Sequence, residues 1–188
     1  MDSYCEVKAL PNPEIIQSAV MAELMQTVHA LLPAFEGRIG VDFPAYGQQR
    51  TLGGIVRLMG TKADIHQLYA QLMNSRTVQD YALLTEPSDI PKQVSHYVCC
   101  QRRHTRGNSH FQRLKRRHQG RGTWSDKLEQ AMLEKPTLSL SLPYVALKSG
   151  STQQTFLLFI ERKPTKHRKI ERFNGYGLGL EGSAVPLF

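Results

Sequence analysis

The run Glu14-Ile15-Ile16-Gln17-Ser18-Ala19-Val20-Met21-Ala22-Glu23-Leu24-Met25-Gln26-Thr27-Val28-His29-Ala30-Leu31-Leu32 decides the fold class. Its apolar residues Ile16, Val20, Leu24, Val28 and Leu31 recur at steps of three and four, with Met21, Met25 and Leu32 alongside. That spacing predicts a single amphipathic helix. Asn12-Pro13 supplies its start, with Asn as cap and Pro at the first helical position, and Pro33 stops it. Upstream, residues 3–10 alternate loosely as a strand through Tyr4, Val7 and Leu10. Downstream, 38–43 and 53–59 read as two further strands. Thr61-Lys62-Ala63-Asp64 resembles a capping box with Asp in the usual place of Glu. It opens a second helix whose Ile65, Leu68, Tyr69, Leu72 and Met73 share one face, and 81–85 closes the series as a fourth strand. The order β-α-β-β-α-β predicts a ferredoxin-like domain over residues 1–93.

Pro87, Asp89 and Pro91 mark a linker, after which the composition changes. Residues 1–93 carry 7 basic and 10 acidic side chains, a net of −3, whereas residues 94–188 carry 17 and 6, a net of +11. The second half is therefore expected to be a separate basic domain that takes a polyanion, with nucleic acid the default. It is expected to hold an arginine-rich helix, a short helix from Ser125 to about residue 134, a strand over 138–148, a turn at 149–152, a strand over 155–160, a basic loop over 163–172 and a glycine-rich tail. The fold class is thus α+β. No stretch approaches eighteen continuous apolar residues, which argues against a membrane-spanning helix. The start, Met1-Asp2-Ser3-Tyr4-Cys5-Glu6, lacks the basic and apolar regions of a secretory signal. Cys5, Cys99 and Cys100 show neither disulfide nor zinc-knuckle spacing, so a reduced, cytoplasmic protein without a metal or other cofactor is expected.

Residues 101–121 are the loudest chemical signal. Arg102, Arg103, Arg106, Arg113, Lys115, Arg116, Arg117 and Arg121 stand there with three histidines and no acid. If 111–119 is helical, Arg113, Arg116 and Arg117 share a face, Lys115 and His118 flank it, and Phe111 and Leu114 can dock it. Like charges at that spacing destabilise a free helix, and a phosphate-lined groove relieves them. Charge alone does not choose RNA over DNA. His29 lies in the last turn of the first helix, where position alone favours a core-edge histidine over a catalytic one. Ser149 and Ser151 flank Gly150 in a turn, and Tyr176 sits between Gly175 and Gly177; turn serines and Gly-Tyr-Gly are weak patterns on their own.

In order and spacing, the chain resembles the CRISPR repeat-processing endoribonucleases of type I-F systems. The residues that carry the likeness are Met1-Asp2-x-Tyr4, Pro11-x-Pro13-Glu14, His29, Arg38-Ile39-Gly40-Val41-x-Phe43-Pro44, Gln93-Val94-Ser95 and Arg116-Arg117-His118. Leu142-Pro143-Tyr144-Val145, Ser149-Gly150-Ser151-Thr152, Phe156-x-Leu158-Phe159-Ile160, Tyr176-Gly177-Leu178 and Val185-Pro186-x-Phe188 extend it to the end of the chain.

The resemblance implies binding of a CRISPR repeat hairpin, with the arginine-rich helix along its major groove, and metal-independent cleavage at the 3′ base of the stem. The products are a 2′,3′-cyclic phosphate and a 5′ hydroxyl, and the enzyme stays on its product as a subunit of a type I-F surveillance complex. It implies no membrane partner and no small-molecule substrate. By resemblance His29 is the general base, Ser149 holds the ribose 2′-OH, Ser151 assists at the phosphate and Tyr176 orients the histidine. The implied RNA-binding residues are Gln101, Arg102, Arg103, Arg106, Gln112, Arg113, Lys115, Arg116, Arg117, His118 and Arg121. The pattern departs where relatives carry Arg and Gln just after the Val-Ser at the linker, which places Gln101 and Arg102 in their stead after a shift of register. Gln112 stands where relatives often carry Arg. The alternative function is a non-catalytic hairpin-binding subunit of a ribonucleoprotein, in which His29 is structural.

Overall fold

A computed structural model describes residues 1–94, 96–104, 108–133, 141–150, 152–166, 172–180 and 182–188. It is a mixed α+β protein with two antiparallel sheets. Two compact units make up the chain: residues 1–103 with 143–188, and residues 104–142.

In the first unit, β1 (Ser3–Ala9), β2 (Gly40–Asp42), β3 (Ile55–Gly60), β4 (Ala82–Leu84) and β5 (Ser88–Asp89) form one sheet in the order β2-β3-β1-β4, with β5 also on β1. Cys5, Val7, Val56 and Leu58 are fully buried in it. Helices α1 (Gln17–Leu31) and α2 (Lys62–Met73) pack on the sheet. The helical stripe read from the sequence is the buried one: Val20, Leu24, Met25 and Val28 in α1, and Ile65, Leu68 and Leu72 in α2. Met73 lies outside that stripe and is exposed. Thr61 caps α2, its Oγ1 accepting the Asp64 N–H at 3.2 Å. Asn12 does not cap α1. Its Oδ1 accepts from the N–H groups of Glu14 and Ile15, so it closes a turn ahead of the helix, whose N-cap position is Ile16.

The second sheet joins β6 (His96–Arg103), β7 (Tyr144–Lys148), β8 (Thr155–Thr165) and β9 (Val185–Leu187) in the order β7-β8-β6-β9. Both sheets share one hydrophobic core, which runs from Cys5 and Leu24 to Leu158, Leu178 and Val185. Helix α1 touches β1 of the first sheet and β7 of the second. The sheets are also stitched by an ion pair: Arg162 Nε lies 2.8 Å from Asp42 Oδ1, and Nη2 lies 3.1 Å from Oδ2. Asp42 is completely buried, and Cys100 Sγ approaches its carboxylate at 3.6 Å.

Three expectations change. The segment around Pro87–Pro91 is not a bare linker, because β5 pairs with Ser3 and Tyr4. Residues 163–165 are not loop but continue β8, where Thr165, Pro164 and Lys163 pair with Tyr97, Val98 and Cys99. The strand expected over 138–148 runs only from Tyr144 within the described residues, 138–140 lying outside them. Strands β6 and β9 and the short helix α3 (Arg76–Tyr81) were not expected from the sequence.

Carboxylates held by basic partners, Glu6 and Asp64 among them, make this unit acid-sensitive. Burial raises the Glu6 carboxyl, but hydrogen bonds from Lys8 and Arg57 outweigh it and hold the group below its ordinary range. Asp64 behaves likewise, burial being outweighed by Arg38 and the Thr61 hydroxyl. A carboxyl depressed by folding stabilises the native state above its unfolded-state pKa, and that stability disappears as pH falls through the folded value. The thermal midpoint is therefore expected to be flat from neutrality down to about pH 5 and to fall steeply below about pH 4. Calorimetry on Glu6→Gln and Asp64→Asn checks this, since each substitution should flatten the acid limb.

In the second unit, α4 (Asn108–Gly120) and α5 (Asp126–Leu133) are joined by a turn in which Thr123 N–H donates to the His118 carbonyl at 3.0 Å.

Candidate active site

His29 lies in the last turn of α1, half-buried, next to the core residue Val28. Its Nδ1 is 2.7 Å from the carbonyl oxygen of Gly175. A carbonyl can only accept, so Nδ1 donates, and in the neutral ring the lone pair is left on Nε2. The Tyr176 ring stacks on the imidazole, with centroids 3.8 Å apart and planes inclined by 15°. The histidine is thus held at one nitrogen and across one face.

The segment that holds it is itself tied at many points. Phe173 N–H donates to Gly37 and bridges to Gly179, whose N–H donates to Cys100 in β6. Val41 N–H, on β2, donates to the Gly177 carbonyl at 2.9 Å. Gly177 has φ +72°, and a Cβ there would lie 2.3 Å from Val41 Cγ2, so this turn needs glycine for both conformation and space. Of the two glycines in Gly-Tyr-Gly, Gly177 is the one that lets the backbone approach β2 so closely.

Ser149 follows β7 and opens a turn in which its N–H donates to the Gln154 carbonyl and its carbonyl accepts from Gln153. The preceding residue is tied to α1, because Lys148 N–H donates to Gln26 Oε1 at 3.2 Å, one turn before His29. The loop that carries Ser149 and the helix that carries His29 are thereby joined. Ser151 and Arg106 lie outside the described residues.

Gln101, Arg102 and Arg103 end β6 rather than lying in a linker, and each is half-buried. Arg102 sits over the Phe156 ring at 5.5 Å. Arg103 Nε donates to Glu161 at 2.6 Å. In α4 the side chains of Gln112, Arg113, Arg116 and Arg117 are exposed, as is Arg121 just beyond the helix. Lys115 and His118 do not flank that arginine face. They turn to the opposite side with Phe111, around Trp124. Lys115 also pairs with Glu129 of α5 at 2.8 Å. The acid-free run of sequence therefore has acidic partners in space, at Arg103 and at Lys115. Trp124, the only tryptophan, was not singled out in the sequence; its enclosure by three residues of α4 at helical spacing is what explains their types.

Burial pushes up the thiols of Cys99, Cys100 and Cys5, the last to about 12, so none of them is a thiolate nucleophile at neutral pH. Among the described residues, no helix is long and apolar enough to cross a membrane.

In the first unit His29 is thus held by a carbonyl and an aromatic ring, and in the second unit α4 carries exposed arginines. Residues 4–188 match the family of the CRISPR-associated protein Cas_Csy4, and the chain belongs to that family. Two similar proteins are both named CRISPR-associated endonuclease Cas6/Csy4. That of Pseudomonas aeruginosa (strain UCBPP-PA14) is 32% identical over 194 aligned residues, and that of Escherichia coli (strain UTI89 / UPEC) is 30% identical over 193. Each match covers the whole of both chains.

Proposed function

We propose that this protein is a metal-independent endoribonuclease that processes CRISPR precursor RNA, cutting at the 3′ base of the repeat hairpin and remaining bound as a subunit of the guided surveillance complex. It acts in the cytoplasm. The observation that carries the chemistry is the His29 ring, with Nδ1 committed to a carbonyl and Nε2 left as the basic nitrogen.

RNA brings its own nucleophile. Nε2 of His29 takes the proton from the 2′-OH of the scissile nucleotide. The O2′–P bond forms as the P–O5′ bond breaks, and the departing O5′ takes a proton, giving a 2′,3′-cyclic phosphate and a 5′ hydroxyl. Tyr176 keeps the ring in plane, Ser149 holds the ribose, and Ser151 assists at the phosphate. Within the first unit, residues 1–93 form a ferredoxin-like portion that contributes the base; the strand order β2-β3-β1-β4, with all neighbours antiparallel, supports that assignment. Residues 94–188 bind the RNA. The exposed face of Arg113, Arg116 and Arg117 lies along the groove of the hairpin, Gln112 and Arg121 extend it, and Arg106 adds a phosphate contact. Gln101, Arg102 and Arg103 read the foot of the stem. Lys115 and His118 contribute through their bracing of α4 around Trp124.

The test is cleavage of the cognate repeat RNA in EDTA, with and without a single 2′-deoxy substitution at the scissile nucleotide. Cutting of the all-ribose RNA and none of the deoxy RNA is expected. Binding without cleavage in either case identifies a non-catalytic hairpin-binding subunit instead.

A further inference from the structure

The Gly175–Tyr176 peptide is held at both ends. Its carbonyl accepts from His29 Nδ1 at 2.7 Å, and its N–H donates to Asn174 Oδ1 at 2.8 Å. A peptide group is planar, with its C=O and N–H pointing in opposite directions. An oxygen that fixes the N–H therefore also fixes the direction of the carbonyl. Asn174 Oδ1 accepts a second bond, from Leu178 N–H at 3.1 Å, while the Asn174 backbone exchanges bonds with Leu178 and Gly177. Both side-chain partners are N–H donors, so the amide must turn its oxygen inward. Leu178 is fully buried, which anchors the far end of the turn in the core.

We propose that Asn174 is a positioning residue, setting the tautomer and orientation of His29 through the Gly175–Tyr176 peptide. The chain of donors runs from His29 Nδ1–H to the Gly175 carbonyl, and from the Tyr176 N–H of the same peptide to Asn174 Oδ1. Bonds linked in this way polarise one another. The two glycines on either side of Tyr176 have no side chains with which to hold their backbone, and glycine loses the most conformational freedom on ordering. Without the amide oxygen the peptide loses the anchor on its N–H and is held only at its carbonyl, so it can rotate more readily. Rotation removes the acceptor from Nδ1 and carries the Tyr176 backbone with it. The imidazole can then carry its proton on Nε2, the nitrogen that must be unprotonated for the 2′-OH to be deprotonated. The role rests on His29 acting as the base, and it makes Asn174 essential to the rate without contact with RNA.

The experiment compares wild type, Asn174→Ala, Asn174→Asp and His29→Ala for repeat-RNA affinity and for single-turnover cleavage. It adds the ¹⁵N resonances of the His29 ring in wild type and the Asn174 variants, without RNA. Asn174→Ala is expected to slow cleavage about 10²-fold, as small misplacements of catalytic groups do. Its affinity should stay at the wild-type value, and its ring resonances should move from a pure Nδ1–H tautomer towards a mixture. Asn174→Asp keeps an acceptor oxygen at the same reach and should retain the Nδ1–H signature. If Asn174→Ala does not fold, Asn174→Leu replaces it, since its side chain fills a similar space but has no acceptor oxygen, and the same loss of rate and tautomer is expected. Wild-type cleavage and tautomer in Asn174→Ala or Asn174→Leu, alongside an inactive His29→Ala, overturn the proposal for Asn174 alone. Full cleavage by His29→Ala overturns the assignment of the base on which it stands.

Discussion

His29→Ala is expected to slow single-turnover cleavage by about 10²–10⁴-fold, the range that general-base catalysis supplies. Affinity for the repeat RNA should be unchanged, because the imidazole is occupied by Gly175 and Tyr176 and is half-buried. The separation of rate from binding is the informative part. Loss of both together would mean that the substitution had collapsed the segment from Phe173 to Gly179 rather than removed a base. Added imidazole should restore part of the rate, since the site left by the ring is bounded by the Tyr176 face and the Gly175 carbonyl. Unchanged cleavage in His29→Ala would return the residue to the structural role that its place at the edge of the core first suggested.

The second large effect is on stability. Arg162→Ala leaves the Asp42 carboxylate, fully buried, without its guanidinium. Breaking a buried pair from one side costs about 3–5 kcal/mol, because the remaining charge has lost both water and partner. The pair lies at the junction of the two sheets, and the residue beside Asp42 is Val41, whose N–H holds Gly177. Urea unfolding should therefore show a loss in that range. Replacing both partners with apolar residues, Asp42→Val with Arg162→Met, should recover most of it. A loss below about 1 kcal/mol for Arg162→Ala would mean that the carboxylate finds water or another donor.

How much of this was legible in the sequence depended on range. Helices α1 and α2 and the Thr61 cap were legible because their determinants lie within one helical turn. Strands β1, β2, β3 and β4 were legible as segments from their apolar and alternating residues, but their pairing and register were not. Strand β6 escaped because Val98, Cys99 and Cys100 are all buried, so it shows no alternation between faces. Strand β9 escaped because it has three residues with Pro186 in the middle, a residue tolerated only on the outer edge it occupies. Asp42 and Arg162 stand 120 positions apart, and no local pattern links them. The same holds at the candidate site. His29, Ser149 and Tyr176 were named through a family resemblance, since each alone is a weak signal. The peptide that joins His29 to Asn174 was not visible, because a backbone carbonyl leaves no mark on residue type. The charge count placed the basic surface but not its internal partners. Glu129 and Glu161 lie outside the acid-free run and reach Lys115 and Arg103 only through the fold.

The central claim is that the RNA cuts itself through its own 2′-OH, with His29 as base. It is tested most directly by the repeat RNA carrying one 2′-deoxy nucleotide at the scissile position, incubated in EDTA and analysed by mass spectrometry of the 5′ fragment. The all-ribose RNA should yield a fragment ending in a 2′,3′-cyclic phosphate, and the deoxy RNA should remain intact while binding equally well. Cleavage of the deoxy RNA, or a dependence of cleavage on added metal, would contradict the account.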